Sequence, residues 1–120
     1  MLLEAVIAGA GMSLSGASDD VVLGRWCDRM VPSMPRMNAV LEIKISDLDG
    51  VIIESSFRDG SSLRRVLEER GNEVYADPDS ASGDRYRIVS STGDLQLIDD
   101  DGLIRTARRL ENVPRAGECR

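Results

Sequence analysis

From Ala39 onward the chain alternates. Leu41, Ile43 and Ile45 interleave with Glu42, Lys44 and Ser46, and a period of two specifies a half-buried strand with one solvated face. Asp47-Leu48-Asp49-Gly50 then supplies a turn, and Val51 to Phe57 is rich in β-branched residues, so residues 39–57 read as a β-hairpin. A second hairpin is expected later. A short strand at Glu73 to Ala76 and a polar, mobile loop at 77–84 lead into a strand at 85–91. The turn Thr92-Gly93-Asp94 joins that strand to Leu95 to Ile98. Between the hairpins, Asp59-Gly60 ends a strand and Ser61 or Ser62 can cap a helix. Leu63, Val66 and Leu67 give that helix a narrow apolar face, and Gly71 closes it. After Asp101-Gly102, the spacing of Leu103, Ile104, Ala107 and Leu110 suits a terminal helix, with a final strand through Ile104 as the alternative.

Residues 1–37 read differently. Leu2 to Ala10 is an apolar helical stretch ending in glycines, and Ser18 can cap a second helix with Asp19 and Asp20 in its first turn, where acids face the positive helix end. Leu23, Trp26, Cys27 and Met30 fall at i, i+3, i+4 and i+7, one helical face. Pro32 and Pro35 then make Val31 to Met37 an extended linker. The expected fold class is α+β: a small antiparallel sheet of two hairpins with a packed helix, preceded by a helical segment and ended by a short helix. The expected organisation is a helical segment with linker at 1–37, an α+β domain at 38–111 and a flexible tail at 112–120.

Composition narrows the chemistry. At 120 residues the chain suits one domain that needs neither metal nor disulfide to fold. It contains no histidine, which excludes serine-histidine and cysteine-histidine mechanisms within the chain and removes the usual zinc ligand. The net charge of −6 is uneven, with −1 over residues 1–37, −8 over 38–102 and +3 over 103–120. An acidic balance argues against binding nucleic acid. Cys27 and Cys119 fit no metal-ligand spacing and no disulfide framework, so free thiols are expected. No apolar run is long enough to span a bilayer, and the N-terminus lacks the basic start of a signal peptide. The expected location is the cytoplasm.

One motif carries chemistry. The segment Ile43 to Ser56, IKISDLDGVIIESS, resembles the first motif of the haloacid dehalogenase-like phosphotransferases. That resemblance implies Asp47 as a phosphoryl-accepting nucleophile, Asp49 as general acid/base, Ser90 or Ser91 as the second motif and Asp99-Asp100 as the acidic fourth. It also implies a magnesium ion held by Asp47 and Asp99. Three features favour an ordinary turn instead. Residues 92–98 contain no lysine or arginine for the third motif, only 73 residues follow Asp47, and Glu42, Lys44 and Ser46 mark the preceding strand as solvated on one side.

Two further groups read as binding surfaces. Arg105, Arg108 and Arg109 lie about one helical turn apart on the expected terminal helix and can grip an acidic partner. Leu23 and Trp26 form an apolar stripe suited to a partner or to a homodimer through the N-terminal segment. Asp77, Asp79, Asp84, Asp94 and Asp99 to Asp101 are acids that an inhibitor can use to imitate a phosphate backbone. The function expected from the sequence is therefore a small, acidic, non-enzymatic protein-binding or regulatory module, an accessory or inhibitor protein. The alternative is the metal-dependent phosphotransferase.

Overall fold

In the computed structural model the chain is described at residues 20–31, 33–113 and 119. Eight strands follow one another: β1 (Val21–Asp28), β2 (Ala39–Ser46), β3 (Gly50–Phe57), β4 (Ser62–Glu69), β5 (Val74–Ala76), β6 (Arg85–Ile88), β7 (Leu95–Asp99) and β8 (Gly102–Arg109). Each pairs antiparallel with its sequence neighbours, and β8 returns to pair with β1, closing an up-and-down barrel. The only helical elements among the described residues are two short 3-10 turns, Pro35–Met37 and Leu110–Asn112. The α+β expectation is therefore overturned, because no helix packs on the sheet.

The hairpin at 39–57 forms with Ile43 opposite Ile53 and Ser46 opposite Gly50. Gly50 takes φ of 75° at that turn, a conformation that L side chains rarely adopt. The register carries one face of every strand into the barrel. Ala39, Leu41, Ile43, Val51, Ile53, Leu67, Tyr75, Leu95, Leu97 and Ala107 join Trp26 there in a single buried cluster. An eight-strand barrel is just wide enough to be filled by such side chains.

Three segments expected to be helical are strands. Between 21 and 28 the inward set is Gly24, Trp26 and Asp28, all buried, so the period is two despite the helical spacing of the larger apolar residues. Trp26 lies across Gly24, where an added Cβ would meet its ring at 2.7 Å, and its indole N–H donates to the Gly93 carbonyl at 2.7 Å. The segment expected as a helix at 61–71 is β4, in which only Leu67 is buried. Its Asp59-Gly60 signal belongs to the β3–β4 turn, where the Asp59 carboxylate accepts the Ser61 N–H at 2.8 Å. In β8, Leu95 faces Ala107 but Ile98 faces Leu103 across a bulge. That one-residue shift breaks the alternation and mimics a helical spacing. The expected apolar helix at 2–10 lies outside the described residues.

The expected boundary after residue 37 is also corrected, since β1 is an integral barrel strand paired along 21–28 with β2. The tail at 112–120 is not free along its whole length. Cys119 is buried and bonded to Cys27, with the two Cα atoms 5.6 Å apart. Barrel closure brings β1 beside the end of β8, and so places thiols 92 positions apart in one spot. A loop of that length is constrained in the unfolded chain by about 4–5 kcal/mol in the entropic account. Trp26→Ala is expected to lower unfolding stability by about 3–5 kcal/mol and Trp26→Phe by about 1–2, the latter through the lost bond to Gly93. Urea unfolding followed by far-ultraviolet dichroism measures both, and a chain beginning at Met37 should show no cooperative transition.

Candidate functional site

Antiparallel order divides the loops between two ends. The segments 29–38, 58–61, 77–84 and 100–101 gather at one end, and 47–49, 70–73 and 89–94 at the other. Asp47 and Ser90 therefore lie at the end opposite Asp99 and Asp100. Asp47 sits in a turn whose Leu48 and Asp49 N–H groups are received by the Ser46 hydroxyl at 3.3 and 3.4 Å. Asp49 is bound by Arg64 at 2.6 Å. Asp99 accepts the Asp101 N–H at 2.9 Å, and Asp100 pairs with Arg85 at 3.2 Å. The geometry does not assemble the phosphotransferase set. Among the described residues no group of three or more metal-ligating side chains converges.

The expected arginine patch is also dispersed. Arg105 and Arg109 share the inward face of β8, one at mid-strand and the other at its last residue, while Arg108 lies on the other face. Arg108 donates to the Asn112 carbonyl at 2.9 Å, and Arg109 pairs with Glu111. The Arg109 N–H is received by Asp94, which is thereby engaged in the fold. Trp26 is fully buried, so the Leu23 and Trp26 surface does not form. Leu23 is half-buried beside Arg25, Arg109, Leu110 and Glu111 in a shallow groove of about 470 Å³.

At the 77–84 end, charge enters the barrel. Arg105 grips Asp28 through two bonds of 2.6 and 2.8 Å, and the Asp28 side chain is only 4% exposed. Arg65 approaches Asp77 at 3.5 Å, and that carboxylate is equally shielded. The loop expected to be mobile and solvated is instead tied. Asp77 accepts the Asp79 N–H and donates its own N–H to the Asp84 carbonyl, and Ser82 accepts the Asp100 N–H, all near 3 Å. Tyr86 stands among these groups. Burial pushes its phenol above the usual range, the Asp84 and Asp77 carboxylates add to that, and Arg65 and Arg105 oppose it. The Asp28 hydrogen bond raises Arg105 further, against its partial burial. Two opposed ion pairs around a neutral phenol close this end of the interior electrostatically. Among the described residues they leave it with no uncompensated cation for a ligand.

Beside that mouth lies a groove of about 600 Å³ lined by Met30, Arg36, Met37, Phe57, Arg58, Asp59 and Ser61. Met30 and Met37 are about two-fifths exposed. Asp59 is occupied by both the N–H and the hydroxyl of Ser61, and the hydroxyl lowers its pKa. Arg36 and Arg58 have no ion-pair partner among the described residues. The strand pattern of 85–91 held the signal for Tyr86, since it alternates with Arg85 and Arg87. Nothing in the sequence marks the groove, which joins two loops across a closed sheet. No protein-family model matches the chain, and neither a curated protein nor a solved structure matches it.

Tyr75 is raised as well, chiefly by burial and then by Glu69 and Glu73. Both phenols thus hold their protons more tightly when folded. Their contribution to stability is complete below the unfolded value of about 10 and is lost as pH rises through the folded values. Absorbance titration is expected to show tyrosinate forming later in the native chain than in guanidinium. Tyr86→Phe should remove part of the alkaline fall in melting temperature.

Proposed function

We propose that the chain is a non-enzymatic protein-binding module, an accessory or inhibitor protein that acts through its surface. The observation that carries this reading is the groove that Met30, Met37 and Phe57 line together with the exposed Arg36 and Arg58. The barrel interior is filled by side chains, which favours the surface over an internal ligand cavity. Methionine is an adaptable contact residue, and two exposed guanidiniums beside an apolar floor suit a partner that offers an apolar anchor flanked by carboxylates.

The compartment expected from the sequence changes with this reading. Among the described residues no helix is long and apolar enough to cross a membrane. The Cys27–Cys119 bond supports an oxidising compartment in place of the cytoplasm.

With a captured partner in hand, Met37→Asp is expected to weaken binding by about tenfold or more, with the melting temperature preserved. The pair Arg36→Glu and Arg58→Glu should slow association and remove most of its salt dependence. Surface plasmon resonance across a salt series reads both. Unchanged affinity in the Met37 variant would sink this reading.

A further inference from the structure

We propose that the free edge of β4 receives an extended acidic segment of another protein, which joins the barrel as an added strand. The edge is visible in the pairing. Along β4 every residue from Ser62 to Leu67 faces β3, but β5 meets only Glu68, through Ala76, and Glu69, through Tyr75. At Asp77 the chain turns away, sending that N–H to the Asp84 carbonyl, and Pro78 follows with no N–H to offer.

The phase of the ladder tells which groups are left. The Phe57 N–H bonds the Ser61 carbonyl at 2.9 Å. Alternation along an antiparallel pair then makes Leu63, Arg65 and Leu67 the residues bonded to β3. On the other side the Arg70 N–H bonds the Val74 carbonyl at 2.8 Å, which puts the even-numbered residues of β4 toward β5. Both bonds give the same result. The N–H and C=O groups of Ser62, Arg64 and Val66 point outward with no strand partner among the described residues.

The side chains favour a particular occupant. Leu63 is 55% and Val66 50% exposed; the Arg64 and Arg65 side chains pair with Asp49 at 2.6 Å and Asp77 at 3.5 Å, yet about half of each stays exposed and open to a further carboxylate. Proteins ordinarily blunt such an edge with charged side chains, proline or a bulge, and residues 62–67 carry neither proline nor bulge, only the charges of Arg64 and Arg65. A second copy laid antiparallel in the phase this ladder requires, even residue opposite even residue, would set Arg64 against Arg64 or Arg65 against Arg65, a like-charge pair. A segment with carboxylates at those two places and apolar residues opposite Leu63 and Val66 satisfies both the ladder and the charge. Recognition by strand addition works in this way, with affinity from the main chain and specificity from alternate side chains.

This surface is separate from the Met37 groove, so the two fail separately. The test is an amide NMR titration of the full chain with the capped peptide Val-Ile-Glu-Glu-Val-Thr, against Val-Ile-Lys-Lys-Val-Thr, up to about 1 mM, the weak end of specific binding. The acidic peptide is expected to shift the Ser62, Arg64 and Val66 amides and to bind about tenfold more tightly than the lysine peptide. Val66→Pro removes an outward N–H without touching the β3 ladder and should abolish the shifts, while Met37→Asp leaves them intact. Arg64→Glu with Arg65→Glu should reverse the preference between peptides, which keeps the test decisive if the proline variant does not fold. The proposal is overturned by unshifted amides at 62, 64 and 66, or by equal response to both peptides. It is also overturned if those amides are already protected from exchange in the free chain, since the edge would then be occupied by the chain itself or by a second copy.

Discussion

Everything in this molecule depends on β1 pairing on both sides. Its residues bond β2 along their length, and at Trp26 and Cys27 they meet Arg109 and Arg108 of β8. Those few contacts turn a meander of hairpins into a closed barrel and give the apolar faces of eight strands one shared interior. Trp26 sits at the join. Its ring needs the bare backbone of Gly24, its indole N–H fastens the 89–94 turn, and its bulk fills the centre that the smaller Ala39 and Ala107 leave. The Cys27–Cys119 bond lies next to the same join, on the strand's other face, so the covalent link reinforces a seam that carries only two paired positions.

Closure also bears on where the proposed binding surface lies. The interior is apolar in its middle and carries Asp28, Arg65, Asp77, Tyr86 and Arg105 toward one end. Each guanidinium there has a shielded carboxylate, so the mouth is internally neutralised. In the reading proposed above, recognition falls to the outside of the barrel: a methionine-lined groove with two arginines unpaired among the described residues, and a strand whose edge has no described neighbour for most of its length. The second follows from the first constraint. A strand as short as β5, which stops at Ala76, cannot cover β4 while the sheet still curves round to meet β1.

The sequence was legible where local chemistry and global fold agreed. The alternation at 39–57 and the Asp-Gly turns gave the first hairpin, and the strands near 74–76, 85–88 and 95–99 were readable from the same signals. It misled where apolar residues on both faces of a strand coincide with a helical period. Trp26 and Cys27 lie on opposite faces of β1, yet with Leu23 they keep a helical spacing, and only the partners on β2 and β8 decide against the helix. Leu63, Val66 and Leu67 look amphipathic for a different reason, since a free edge and two open faces leave Val66 and Leu63 in solvent. The disulfide and the groove were not legible at all. Each joins segments that become neighbours only when the barrel closes, and no local pattern records that event.

Closure is the central claim, and contacts across the β1–β8 seam test it most directly. Nuclear Overhauser spectra of the oxidised chain are expected to show cross-strand contacts from Trp26 and Cys27 to Arg109 and Arg108 on one side, and to Leu41 and Val40 on the other. Helical contacts over residues 20–30, or contacts to β2 alone with none to β8, would contradict the account.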